Sequence, residues 1–392
     1  MGEIRILSDT NIPRVKEAFS QFGTVSTKQG RDIAPPDVER ADALLVRSVT
    51  PVGPALLQGT DLRFVGSATI GTDHVDRACL RERGIPFAHA PGSNADSVAD
   101  YVVAALLVLA RRRGGMLRGK TVGIVGCGNI GGRLARRLPA LGMTALPHDP
   151  PRARIAEAAG RAHPFVSLDT VLDEADIVTL HVPLTTDGPD PTHHLVDAVF
   201  LGRLTDGAWL LNTSRGPVVD GGALWRARMQ GSVSAAVLDV WENEPAPDPA
   251  LLEVADVATP HIAGYAYDGK VRGTKMLYDA LCEQLGVEPT WGGAAALRPT
   301  PKDELQCTPP DPRLSTTEWL DHLARQAYDL RADDAALRAI PNDSPEARAD
   351  AFTSLRKDYR RRRELQQHSL PHTAVPSAHV RAVEKGLTIQ LG

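Results

Sequence analysis

Three polar side chains follow three apolar runs in the middle of this chain. Arg215 comes after Leu211-Asn212-Thr213, Glu244 after Leu238-Asp239-Val240, and His261 after Thr259-Pro260. If those runs are parallel strands, the side chains meet in the crevice outside the strands' carboxyl ends, where α/β sheets bind ligands. An arginine fork holds a carboxylate through two parallel bonds. A histidine takes up a hydroxyl proton as a hydride departs. A glutamate beside the histidine orients it and favours its protonated form, and one pKa unit of such bias is worth about 1.4 kcal/mol. The set fits hydride transfer to or from a 2-hydroxy acid. Taken singly, each has a plainer reading: a turn arginine, a solvated loop acid, a surface histidine. The joint arrangement carries the inference.

A second pattern supplies the other half of such a reaction. In TVGIVGCGNIGGRLARRL, Gly126, Gly128 and Gly131 follow an apolar strand and open a helix. The first glycine makes a tight turn and the second lets a pyrophosphate approach the backbone. The third packs helix on strand, and the helix N-terminus presents partial positive charge. The candidate cofactor-binding segment is therefore Gly126 to Gly131, with Asn129 and Ile130 inside it. Asp149, at the end of the next strand, is placed to accept bonds from ribose hydroxyls and to repel a 2′-phosphate, which favours NAD over NADP. Cys127, with no basic partner in sequence, reads as a small loop residue rather than a redox centre. His193 and His194 lie in a Pro/Asp-rich loop without ligand spacing, so they read as surface residues, and no metal is expected.

These residues need a parallel sheet to hold them. Thr121–Val125, Thr144–Pro147, Ile177–His181, Ala208–Leu211, Ala235–Val240 and Val257–Thr259 read as strands, with a helix at Ile130–Leu141 that Pro139 should kink. A long helix from about Ser97 to Arg113 precedes them, acidic at its start and basic at its end. Before it, Ile4–Leu7, Ala43–Val46 and Phe64–Gly66 read as strands and Val15–Phe22 as a helix. A dinucleotide loop ordinarily opens its domain, and this one begins only at Gly126, so the N-terminal third is a domain of its own. Beyond Gly286 a Pro/Gly/Thr-rich stretch leads to helices at Glu318–Leu330 and Asp350–Gln367 and a final apolar piece, Leu387–Leu391.

The chain has 392 residues, two or three domains at about 150 residues each. Its net charge of −4 argues against a general polyanion binder. Arg360 to Arg363, flanked by Asp358 and Glu364, read as a solvated helix face rather than a nucleic-acid patch. Val102–Ala110 is too short to span a membrane, and the N-terminus shows no secretory pattern. Four scattered cysteines read as reduced thiols, and the expectation is a cytoplasmic protein without nucleic-acid or membrane partners.

GIVGCGNIG, NTSRGPVVD, LDVWENEP and TPHIAGY resemble the D-isomer-specific 2-hydroxyacid dehydrogenases. The resemblance implies that Arg215 binds substrate, His261 is the acid/base and Glu244 supports it. DTNIPRVKEAF, ADALLVRSVTPV, FVGSATIGTDHVD, HDPPRA, HIAGYAYDGKVRGT and AYDLRADDAALR are similar to the erythronate-4-phosphate branch of that family. That branch implies NAD-dependent oxidation of 4-phospho-D-erythronate in pyridoxal-phosphate formation, by a homodimer with an extra C-terminal dimerisation domain. It further implies Ser48, Thr69 and Tyr265 as substrate contacts, and Asp149, Asp239 and Gly264 as NAD contacts. Val182 stands where the branch often has a threonine near the cofactor, so a hydroxyl contact is lost and a backbone one is not. A phosphorylated 2-hydroxy acid needs local cations, and Arg47, beside Ser48 at a strand end, is the candidate. The expected fold is α/β: two doubly wound parallel-sheet domains and a smaller α+β C-terminal domain. Residues 1–95 with 266–286 would bind substrate, 96–265 would form the Rossmann domain that binds NAD, and 287–392 would be the dimerisation domain. Another 2-hydroxy acid such as 3-phosphoglycerate, or an NAD-sensing protein on the same scaffold, stays open on the sequence alone.

Overall fold

The structure is a computed structural model that describes residues 3–293, 297, 305 and 314–392. It divides into two compact units. The first comprises Met1–Asn94 and Ala266–Arg298. Its strands are β1 (Ile4–Asp9), β2 (Gly23–Lys28), β3 (Ala43–Val46), β4 (Phe64–Ser67) and β5 (Phe87–His89), in the order β2-β1-β3-β4-β5 and parallel throughout. Successive side chains on a strand point to opposite faces. Here Leu44 and Val46 join one apolar cluster while Ala43 and Leu45 join another. Both faces of the sheet are therefore covered, which is why β3 reads as an unbroken apolar run. The expected helix at Val15–Phe22 ends at Phe19.

The second unit comprises Ala95–Tyr265 and Pro299–Gly392. Its sheet holds β6 (Thr121–Val125), β7 (Thr144–His148), β8 (Ile177–Leu180), β9 (Ala208–Asn212), β10 (Val233–Leu238) and β11 (Val257–Ala258). The strands run parallel in the order β11-β10-β9-β8-β6-β7. The direction of winding reverses at β6 and β8, and such a switch point is where open α/β sheets bind ligands. Ile124 and Val237 face one core and Val125 and Leu238 the other, so this sheet too is doubly wound. The helix after β6 spans Gly131–Arg137 and continues to Leu141 as a tighter 3₁₀ segment. Pro139 sits in the first turn of that segment, where its missing N–H leaves no bond unmade. The expected kink is thus a change of helix type.

The C-terminal residues hold helices at Thr316–Ala327, Leu330–Arg338 and Pro345–Lys357 and a pair of two-residue parallel strands, β12 (Ser369–Leu370) and β13 (Gln390–Leu391). Two expectations change here. The Glu318–Leu330 helix starts earlier, because Ser315 and Glu318 form a capping box, and it breaks where Asp329 caps the next helix. The Asp350–Gln367 helix begins at Pro345 and stops at Lys357, so Arg360–Arg363 lie on irregular chain. They are no solvated helix face: Arg362 is buried and lies 4.0 Å from the Tyr328 ring centroid. Trp319, Leu320, Leu365 and Leu387 join the core built on the Ala95–Arg112 helix. The C-terminal segment expected from residue 287 thus shares the core of the nucleotide-type unit from Pro299 onward.

Candidate active site

The glycine loop has the geometry a dinucleotide needs. Gly126 has φ +92°, and a Cβ there would lie 2.6 Å from the His181 carbonyl oxygen, so only glycine fits. At Gly131 a Cβ would lie 2.1 Å from the Gly126 carbonyl oxygen, so helix and strand close on each other only without a side chain. Gly128 differs: nothing lies within 4 Å of its absent Cβ, and the exposed backbone of Gly128 and Asn129 is open to a ligand. Ile130 packs against the core and anchors the turn. Asp149 ends the β7 run and returns to the loop. Its Oδ2 accepts the Cys127 amide at 2.9 Å and its Oδ1 the Arg152 amide at 3.1 Å. These residues fit NAD: bare backbone for a pyrophosphate, with a carboxylate beside it for a ribose. Burial, with the Asp149 charge adding, pushes the Cys127 thiol up to about 12, so it is a neutral loop residue. Val182 packs on the loop, its Cγ1 lying 2.9 Å from where a Gly126 Cβ would be.

The candidate acid/base pair, His261 and Glu244, is assembled after β10 and β11. His261 Nδ1 lies 2.8 Å from Glu244 Oε2, and Glu244 Oε1 accepts the Trp241 amide at 2.9 Å. Nδ1 being engaged, Nε2 is the nitrogen left for a substrate proton. Burial works against ionising Glu244. The His261 charge and hydrogen bond, the Trp241 amide and the Arg356 charge outweigh it and hold the carboxyl below the ordinary glutamate value. His261 itself has φ 56°, a left-handed conformation uncommon outside glycine. Asp239 supports that conformation from below. It accepts the Ile262 amide at 2.8 Å, the Ala263 amide at 2.9 Å and the Thr259 hydroxyl at 2.6 Å. Burial raises the Asp239 pKa, against the His261 charge and those donors. Asp239, expected to touch the cofactor, thus has both carboxylate oxygens engaged in holding the His261–Gly264 turn.

Arg215 stands at the start of a 3₁₀ turn, Gly216–Val218, after β9. A Cβ on Gly216 would lie 1.9 Å from the Trp241 carbonyl oxygen. This glycine lets the Arg215 loop press directly on the loop that carries Glu244. Gly264 and Tyr265 complete the His261 turn, and Tyr265 packs edge-on to Tyr359 of the C-terminal segment at 5.8 Å. In the first unit, Arg47 and Ser48 follow β3 directly, and the Thr69 hydroxyl lies 2.7 Å from that of Ser67.

Sequence reasoning passed over three groups. His194, read as a surface residue, has φ 50° and holds Glu242 through Nε2 at 2.6 Å. His181 bridges the Thr179 and Thr213 hydroxyls at 2.9 and 3.2 Å, and burial lowers its pKa to about 3, so it stays neutral. The third is the arginine set of the C-terminal segment, which no motif marks. Arg362 donates to the Ala263 carbonyl at 2.6 Å, directly behind the His261 turn.

Residues 103–263 match the NAD binding domain of the D-isomer specific 2-hydroxyacid dehydrogenases, and residues 301–385 match a domain of unknown function. A Salinibacter ruber protein named erythronate-4-phosphate dehydrogenase is 70% identical over 391 residues, 100% of both chains. The protein of that name from Chromohalobacter salexigens is 47% identical over 363 residues, 92% of each chain. Among solved structures, D-lactate dehydrogenase from Aquifex aeolicus, complexed with NAD and lactic acid, matches with TM-score 0.60 at 25% identity, over 72% of this chain and 95% of that one. The TT0316 protein from Thermus thermophilus matches with TM-score 0.61 at 30% identity, over 73% and 99%. The loop, the histidine–glutamate pair and the full-length likeness to the Salinibacter ruber protein agree: the chain belongs to the D-isomer specific 2-hydroxyacid dehydrogenase family, and within it to the erythronate-4-phosphate dehydrogenases.

Proposed function

We propose that the protein oxidises 4-phospho-D-erythronate to (R)-3-hydroxy-2-oxo-4-phosphobutanoate, with NAD reduced, in the formation of pyridoxal 5′-phosphate. The observation that carries this reading is the His261–Glu244 pair, set at strand ends in the unit that holds the glycine loop. NAD, when bound, supplies the hydride acceptor; Gly126, Gly128, Asn129, Ile130, Gly131 and Asp149 would hold it, with Val182 packed beside them. His261 Nε2 takes the C2 hydroxyl proton as the C2–H bond breaks and the carbonyl forms. Glu244 keeps the imidazole oriented through Nδ1 and offsets the charge it gains. Arg215 holds the C1 carboxylate, and its planar fork fixes which face of C2 is presented. Asp239 and Gly264, in the turn that carries His261, are assigned to NAD contact. Arg47, Ser48, Thr69 and Tyr265 are assigned to substrate contact.

The reading includes a homodimer, carried by the family resemblance, and a cytoplasmic location, carried by the four scattered cysteines read as reduced thiols. No helix among the described residues is long and apolar enough to cross a membrane. The test is a spectrophotometric assay of purified protein with NAD and 4-phosphoerythronate, 3-phosphoglycerate or unphosphorylated erythronate. The highest kcat/KM is expected with 4-phosphoerythronate. More efficient turnover of 3-phosphoglycerate would remove the substrate assignment and leave the reaction class.

A further inference from the structure

Arg356 lies on the Pro345–Lys357 helix of the C-terminal segment, within the unit that holds His261 and Glu244. Its guanidinium carbon sits 5.5 Å from the Tyr265 ring centroid and 5.9 Å from that of Phe352, one helical turn back. Tyr265 belongs to the turn that begins at His261. Arg356 and Tyr359 thus bring the C-terminal segment to that turn.

One donor of the guanidinium is left unmatched. Its Nε is buried without a hydrogen-bond partner, and no described residue forms an ion pair or hydrogen bond with Arg356. Arg348 and Arg362 of the same segment also leave a buried Nε unmatched, but each has another donor engaged, Arg348 with Asn342 at 2.9 Å and Arg362 with the Ala263 carbonyl at 2.6 Å. Glu244 feels the Arg356 charge, but its two oxygens are engaged by His261 and Trp241. A buried donor without an acceptor is costly to leave so, and an arginine clamped on an aromatic face is oriented for a bidentate anion.

We propose that Arg356 binds the phosphate of the substrate, so that the C-terminal segment supplies a specificity-determining residue to the dehydrogenase site. Arg215 takes the carboxylate, and a dianion at the other end of a four-carbon acid needs more than the one cation, Arg47, expected for it. Two oxygens of a phosphate would satisfy donors that the protein leaves unmatched. An unphosphorylated 2-hydroxy acid would leave them unmatched still. Discrimination between the two would then arise from a residue outside the dehydrogenase motifs.

The inference rests on the proposed activity, and its test separates the two. Kinetic constants for 4-phosphoerythronate and erythronate are measured for the wild type, Arg356→Met and Arg356→Lys, and inorganic phosphate is titrated calorimetrically into each NAD-saturated protein. Methionine keeps an apolar stem against Tyr265, and retained NAD affinity reports a folded site. In Arg356→Met, KM for the phosphorylated substrate is expected to rise about tenfold or more, while kcat/KM for erythronate falls far less. Phosphate affinity should drop in parallel, with Arg356→Lys in between. Equal losses with both substrates, or unchanged phosphate affinity, would overturn the assignment. If the wild type fails to oxidise 4-phosphoerythronate, the proposed activity falls, and the phosphate titration alone still decides Arg356.

Discussion

His261 occupies a backbone conformation that costs on the order of 1–3 kcal/mol for a residue with a side chain. Three hydrogen bonds accepted by the Asp239 carboxylate stabilise the turn that imposes it. The conformation aims Nδ1 at Glu244 and leaves Nε2 free, so positioning and proton transfer depend on the same local strain. Replacing His261 with alanine removes the proposed base and leaves the glycine loop and Asp149 untouched. Turnover is expected to fall by about 10²- to 10⁴-fold with NAD affinity retained, read from steady-state rates and fluorescence titration. Wild-type turnover in that variant would take the acid/base role away from His261. The approach of His261 to Glu244 was legible in sequence, because both residues follow strands and strand ends converge. Asp239 was legible only as a position: nothing in Leu-Asp-Val tells that both carboxylate oxygens face backbone amides. His194, read as a surface residue, keeps a 36% exposed side chain, but its bond to Glu242 left no mark in sequence because that partner comes from a distant loop.

The Ala95–Arg112 helix shows the same limit among the elements. It is buried from Ala95 to Ala110 on every side, with Asp96 alone partly exposed. A helix apolar all round is one that neighbours cover completely. The cover is the C-terminal segment: Trp319, Leu323 and Leu365 join its core, and Arg137 of the glycine-loop helix donates to its Asp100 at 2.8 Å. The missing polar face was thus a trace of the last eighty or so residues, although the motifs end near His261. The extended run after Lys357 was illegible, because Arg360–Arg363 resembles a charged helix surface. Its cause is tertiary: Arg362 must reach the Ala263 carbonyl and the Tyr328 ring, which a regular helix would not allow. Arg362→Met keeps much of the volume and removes the charge and the bond. Stability is expected to fall by about 1.5–3 kcal/mol in urea unfolding, and kcat by more than NAD affinity, because the freed carbonyl lies behind the His261 turn. An unchanged unfolding midpoint would show that the burial of Arg362 is incidental.

Seen across the whole molecule, a net charge of −4 conceals a compensated cluster inside. Asp100, Glu364, Arg137 and Arg362 are all buried, two acids facing two bases. Asp100 accepts Arg137 and the Leu365 amide, each at 2.8 Å, and Glu364 accepts the Ser97 hydroxyl at 2.7 Å. Burial, with the Glu364 charge adding, outweighs Arg137 and the Leu365 amide and pushes the Asp100 carboxyl up to about 6. An unfolded aspartate titrates near 3.9, so between about pH 4 and 6 the native state keeps a proton that the unfolded state has released. The Asp100 contribution to stability is therefore fully present below that window and is lost as pH rises through it, by at most about 1.4 kcal/mol per pH unit. Carboxyls with lowered values act in the opposite sense: Asp42 beside Arg5, and Glu244 beside His261, lose stability as pH falls through their native pKa. The two trends oppose each other in mildly acid solution, and Asp100→Asn deletes one of them. Between about pH 4 and 6, the slope of unfolding free energy against pH should be more positive in Asp100→Asn than in the wild type, by up to one proton. Urea unfolding at half-unit pH intervals measures both slopes. Coincident slopes would mean that Asp100 ionises alike in the native and unfolded chain, and that the buried bases fully offset its removal from water.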